Sequence, residues 1–189
     1  MKKTLFVIMT LVTSFAFSAT VVDLKESKFN WKATKKVGDF HEGEISLKSA
    51  SAEIKDNKIV SGQFEIDMNS FTEKTLKGEW HEKFIGHVKS ADFFDTAKYP
   101  TAKLVVVGQP SPTSVNGQLT IKDKTEPVTV QFTKEGNAYV GELKIDRTKF
   151  GITYGSENFI KNLVADKIIN NEFEVKFKVM TVAPTKAKK

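Results

Sequence analysis

The chain has no cysteine among its 189 residues, and only one of its 29 basic residues, Arg147, is an arginine. The first absence removes thiol nucleophiles, thiolate metal ligands and disulfides, so an exported form of this protein must stand on its apolar core alone. The second argues against nucleic acid, because the arginine fork is the usual reader of bases and phosphates. Histidine is scarce too. His41, His81 and His87 are the whole supply, and the position where a zincin helix would carry its second histidine after His81-Glu82 is Ile85. A zinc site is therefore not expected, and neither is any other cofactor. There is no GxSxG, no P-loop and no GxGxxG in a strand-to-helix setting. Asp92 and Asp95 flank Phe93-Phe94 three residues apart, a spacing that suits capping and turning of the backbone better than an acid/base pair. These absences predict a binding protein and not an enzyme.

Long apolar runs are missing as well, apart from one near the start. Met1-Lys2-Lys3 precedes an apolar stretch from Leu5 to Phe17, and Ala16 and Ser18 suit the −3 and −1 positions of a signal peptidase site. The reading is a signal peptide over residues 1–18, cleaved after Ser18 or, alternatively, Ala19, and a periplasmic destination. With no cysteine nearby, no lipid anchor is expected, and no second run is long enough to span a bilayer. Removal of Lys2 and Lys3 lowers the formal charge from +6 to +4, spread along the chain as lysine alternating with acids. The end, Lys186-Ala-Lys-Lys, reads as a basic tail over residues 183–189.

What the chain does have is period-two alternation. Val60, Gly62, Phe64, Ile66 and Met68 share one face, opposed by Ser61, Gln63, Glu65 and Asp67. Phe29, Trp31 and Ala33 repeat the pattern. So do Val115, Gly117, Leu119 and Ile121; Val128, Val130 and Phe132; Tyr139, Gly141, Leu143 and Ile145; and Phe173, Val175, Phe177 and Val179. Leu104 to Val107 is apolar at every position, as in a strand covered on both faces, and Gly108 to Pro112 reads as a loop. Asp56-Asn57 and Glu135-Gly-Asn137 are turn signals. Eight or nine strands at this spacing predict one all-β domain over residues 19–182, a barrel or a sandwich.

One segment breaks the alternation. Gly78 to Thr101 begins with Glu79 and Glu82 in a first helical turn and continues with Trp80, Phe84 and Val88 at steps of four. A lone amphipathic helix in a β chain is expected to cover an opening in the barrel. The inward faces hold many of the 15 phenylalanines beside small residues such as Gly62, Gly117 and Gly141. An eight-stranded barrel is wide enough either to be filled by side chains or to hold one small ligand, and alternation alone leaves both open. The inward candidates are Phe29, Trp31, Phe64, Ile66, Met68, Phe84, Leu104, Val106, Leu119, Phe132, Leu143, Phe173 and Phe177. Arg147, Tyr154 and His87 are candidates for contact with a ligand head group. For Arg147 the alternative is an ion pair with a nearby carboxylate at a strand end, and for His87 a satisfied histidine at the helix–loop junction.

The string Gly86-His-Val-Lys-Ser-Ala-Asp-Phe-Phe-Asp-Thr-Ala-Lys-Tyr-Pro-Thr101 resembles the signature of the YceI family. Further matches are His41 and Gly43 before Leu47-Lys48-Ser49, Ile66-Asp67-Met68-Asn69-Ser70, Gly117 to Lys122 with Glu126-Pro-Val, Asp146-Arg147-Thr148 and Tyr154-Gly155-Ser156. The resemblance runs in order along essentially the whole chain after residue 18. It departs at Val88, where leucine is usual, and at Asp123-Lys124. It implies a lipocalin-like extended eight-stranded antiparallel barrel, periplasmic, with a polyisoprenoid or other long-chain amphiphilic lipid such as a quinone tail as partner. The competing expectation is a ligand-free structural or interaction module with a solid barrel, which would suit a homodimer.

Overall fold

The computed structural model describes residues 20–182, so the expected signal peptide over residues 1–18 and the expected basic tail over residues 183–189 lie outside the described residues. Eight strands run β1 (Val21–Lys35), β2 (Phe40–Lys55), β3 (Lys58–Asp67), β4 (Thr101–Ser111), β5 (Ser114–Ile121), β6 (Lys124–Glu135), β7 (Ala138–Asp146) and β8 (Ile169–Val182). Each pairs antiparallel with the next, and β1 closes on β8 through register pairs such as Phe29↔Phe177 and Ala33↔Phe173. The result is a closed barrel, which leaves no strand edge unpaired.

Connections differ sharply between the two ends. At one end the links β2–β3, β4–β5 and β6–β7 are tight hairpins, centred on Asp56-Asn57, Pro112-Thr113 and Gly136-Asn137. Asp56 and Asn57 both take positive φ, 50° and 61°, as the primed two-residue turn requires. At the other end lie the long excursions: residues 68–100 between β3 and β4, and 147–168 between β7 and β8. The first contains α1 (Glu79–Lys89), so the helix caps that end of the barrel. Among the described residues no helix is long and apolar enough to cross a membrane.

Three expectations need correction. Trp80 does not share the buried face of α1. It is 65% exposed and carries the Lys83 ammonium over its ring, while Val88 is buried. Steps of four drift about 40° per step on a 3.6-residue helix, so three residues cannot all meet one narrow seam. Nor is β4 covered on both faces, since Val107 is exposed. The Gly108–Pro112 loop is shorter than expected because β4 continues to Ser111. Pro110, which has no N–H to donate to the ladder, sits where the β4–β5 register is irregular, and the Gln109 side chain accepts from the Ile59 N–H at 2.5 Å.

The inward faces form two apolar clusters. One at the helix end gathers Trp31, Ile45, Met68, Val88, Phe94, Phe150 and Ile152. The other, at the hairpin end, gathers Val22, Ala52, Val106, Val115, Val130, Phe132, Tyr139 and Val179. The inward glycines do not by themselves open space. A Cβ at Gly117 would meet Leu104 Cδ1 at 2.7 Å, and one at Gly141 would meet the Gln131 carbonyl at 2.1 Å and Phe177 at 2.8 Å. The large neighbours already occupy those notches.

Candidate functional site: an apolar cavity and a helix-end pocket

A cavity of about 180 Å³ runs along the barrel interior. Twelve of the thirteen inward candidates line it: Phe29, Trp31, Phe64, Ile66, Met68, Leu104, Val106, Leu119, Phe132, Leu143, Phe173 and Phe177. The lining is apolar almost throughout, with aromatic rings from β1, β3, β6 and β8 facing one another; Phe29 and Phe177 stack at 6.2 Å. An apolar void of roughly 150 Å³ stays dry and takes up a benzene-sized guest. This one is therefore large enough for a short length of hydrocarbon as it stands.

Phe84, the thirteenth, lies elsewhere. Together with His87 and Val88 from α1 it lines a second pocket of about 190 Å³ under the helix, bounded below by Trp31, Phe71, Phe94 and Phe173. Those four side chains line both voids, so an aromatic partition separates the barrel cavity from the helix-end pocket. Phe71 and Phe94 belong to no strand, which is why alternation did not reveal them. The signal that was there is the Phe93-Phe94 doublet beside Asp92 and Asp95. The turn after α1 folds Phe94 inward through the Phe94 N–H to Val88 carbonyl bond (3.1 Å), while Asp95, at φ 50°, bonds the Ser90 carbonyl at 2.8 Å.

The helix-end pocket is apolar over nearly all of its wall as well, with a few polar residues among those that line it. His41, Asn170, Thr34, Lys35 and Arg147 contribute to its walls. His87 is half-buried, its ring edge-on to Tyr154 at 4.3 Å and to Phe93 at 5.8 Å. Its Nε2 is buried with no hydrogen-bond partner. Tyr154 is half-exposed at the rim beside it. His87 and Tyr154, both named from the sequence, thus come together at the mouth.

Arg147 is 2% exposed and part of the frame. Its Nη1, Nη2 and Nε donate to the carbonyls of Ile152 (2.8 Å), Ile169 (2.9 Å) and Asn170 (3.2 Å). The expected carboxylate pair is corrected by this: among the described residues its partners are backbone oxygens. Burial draws its pKa down from the ordinary arginine value, with the neighbouring Asp146 opposing. Asp146 is itself committed to the following 3₁₀ turn, accepting from Thr148 N–H at 2.9 Å.

A second buried polar atom without a partner stands at the far end. The Tyr139 hydroxyl, on an inward side chain of β7 that lines the barrel cavity, makes no hydrogen bond, and burial raises its pKa above the usual tyrosine value. Among the described residues no cluster of three or more His, Cys, Asp or Glu is placed to hold a metal ion.

A closed eight-stranded barrel with an apolar interior and a second pocket under one helix defines the class: small barrels wide enough to enclose an apolar ligand. Within it, residues 20–181 match the model of the YceI-like domain, and the chain belongs to that family. Among solved structures it is similar to BcnA of Burkholderia cenocepacia, with 26% identity and a TM-score of 0.65 over 86% of this chain and all of the other. It also resembles in fold a polyisoprenoid binding domain from Saccharophagus degradans implicated in plant cell wall breakdown: 19% identity, TM-score 0.55, 89% of this chain and 99% of that one. A YceI protein of Campylobacter jejuni aligns at 15% identity and TM-score 0.52, over 74% and 84% of the two chains. A search of the curated proteins gave no match.

Proposed function

We propose that this chain is an exported binding or carrier protein that holds an isoprenoid-like lipid, such as a polyprenyl or quinone tail, without chemistry on it. The observation that carries the reading is the pairing of an apolar, aromatic-lined cavity with a helix-end pocket whose His87 Nε2 is buried and unpartnered. The hydrocarbon lies in the barrel and passes the partition of Trp31, Phe71, Phe94 and Phe173. The polar end meets His87, whose imidazole nitrogen serves a hydroxyl or a carbonyl equally well, with Tyr154 flanking it. Arg147 acts on the head group through the wall it holds, its Nη1, Nη2 and Nε being engaged. Affinity comes from burial at roughly 25 cal/mol per Å² of apolar surface, so few polar contacts suffice. Family membership supports the ligand class, and the amino-terminal pattern over residues 1–18 supports export.

The test is native mass spectrometry on protein exported by a bacterial host and purified without detergent, followed by solvent extraction of any adduct. The expected result is a stoichiometric lipid with isoprene repeats. A clean apo mass, together with refusal of added prenyl quinones, would overturn the reading in favour of a ligand-free interaction module.

A further inference from the structure

We propose that the rim formed by residues 151–168 and the β1–β2 loop is a docking surface for a lipid bilayer, one of zwitterionic headgroups, that seats the helix-end mouth against the membrane. The proposal rests on the lipid-carrier reading and says where the exchange occurs. A long prenyl chain does not cross water freely, so a carrier that holds one must meet the bilayer at the mouth through which the lipid passes.

The rim has the side chains for this. Phe159 and Val164 are 59% and 63% exposed, and Ile160 and Tyr154 are exposed beside them in sequence. Val37, 57% exposed, stands on the β1–β2 loop, which is tied to the same segment through the Lys36 N–H to Ile168 carbonyl bond (2.9 Å) and the Lys36–Glu157 ion pair. The segment is held outward and does not collapse onto the barrel. Its base is fixed by the fully buried Ser156, whose hydroxyl donates to Asn171 Oδ1 at 2.7 Å, and by the Ile169 N–H to Gly155 carbonyl bond at 2.8 Å. Amphipathic aromatics with aliphatic neighbours and lysine stems are the residues that suit a bilayer interface. Tyr154 belongs both to this rim and to the mouth, 4.3 Å from His87.

Charge decides which bilayer. Lys35, Lys36 and Lys167 are paired with Asp39, Glu157 and Asp166, which leaves as the excess charges of the rim only Lys161 and Lys124, whose ammonium lies against Gly151. A nearly self-neutralised patch gains little from an anionic surface, so apolar insertion is the driving term. The hairpin end lacks these features. Its exposed Val21, Val60, Val107 and Val182 are aliphatic residues on strand walls, and its turns are polar.

Flotation of the full chain with extruded phosphatidylcholine vesicles, at low and high salt, tests this against the Phe159→Ser/Val164→Ser double substitution. Retention of a prenyl quinone presented in detergent is measured in parallel. The expected result is vesicle binding that salt does not weaken, reduced at least tenfold by the double substitution, with quinone retention unchanged. Failure of the unaltered chain to float, a requirement for anionic lipid, or equal flotation of the double variant would overturn the docking surface. So would a dimer in sedimentation that the double substitution dissociates, since the rim would then belong to a second copy. Loss of quinone retention in both proteins would instead strike the carrier reading, which separates the two failures.

Discussion

The Trp31 indole, on β1, donates its Nε1 proton to the Thr72 carbonyl at 2.9 Å while its ring stacks on Phe71 at 4.4 Å. One side chain from the barrel wall therefore holds the segment that leads into α1. The approach is close because residue 43 is glycine: a Cβ there would lie 2.0 Å from the Thr72 oxygen. Trp31→Phe keeps most of the ring and loses the bond, so it should cost about 1–2 kcal/mol. The loss should appear locally, as faster hydrogen exchange of the α1 amides than of the β5 amides. Equal acceleration in both would mean that Trp31 supports the barrel as a whole and has no special hold on the lid.

Glu73 holds the same lid segment in a pH-dependent way. Its buried carboxylate accepts from the Thr75 N–H at 2.6 Å, the Leu76 N–H at 2.8 Å and the Thr75 hydroxyl, with His41 at 3.5 Å. Burial opposes its charge, but these bonds and His41 outweigh burial and hold the pKa below the ordinary 4.5. A depressed carboxylate contributes stability that is present above the unfolded pKa and lost as pH falls through the folded one. The urea midpoint should therefore drop below about pH 4.5 in the native chain. In Glu73→Gln it should be lower at neutral pH and flatter in acid; parallel curves would count against the role.

Tyr139→Phe removes a buried hydroxyl that has no partner. An unsatisfied buried donor costs about 1–3 kcal/mol, so the variant should be as stable as the native chain or more so in urea. Its raised pKa means that the neutral form is favoured in the fold, so stability attached to it is lost as pH rises past 10. The variant should accordingly resist alkaline unfolding better. A large destabilisation at neutral pH would reveal a partner for the hydroxyl inside the cavity.

Phe64 lines the cavity, whereas Lys176 lies outside on β8, exposed and 3.1 Å from Glu174. Phe64→Asp should abolish lipid retention or folding, because a carboxylate in an apolar void is strongly disfavoured. Lys176→Asp breaks a solvent-screened surface pair, which contributes little to stability, and should leave both retention and melting temperature nearly unchanged. Retention assays on the two purified variants check the direction of the side chains on β3 and β8.

The barrel was legible because alternation reports directly which side of a strand is inward, and twelve residues chosen on that basis line the cavity. Phe84 was misassigned to it for a physical reason: a helix residue at the end of a barrel sees the pocket beneath the helix, and periodicity along the helix does not say what lies below. Phe71, Phe94 and Tyr139 escaped notice as site residues. The first two reach inward from irregular backbone, where no period exists. Tyr139 looked like one more alternating residue, and only the absence of a partner for its hydroxyl distinguishes it. Arg147 stood out by composition alone. That its contacts are backbone carbonyls some 5 to 23 residues away is a tertiary fact that no local pattern encodes.

The ring of strands is completed by the first against the last, with Val21 opposite Val182. Until residue 182 has cleared whatever pore or tunnel the chain is threading, β1 presents an open row of hydrogen-bonding groups to its surroundings, and no closed container exists for a lipid. Closure across the full length is slow, in the millisecond-to-second range for topologies dominated by distant pairings. The newly made chain thus passes through a sticky, empty interval whose length is set by the arrival of its last strand, and chaperone dependence should concentrate there.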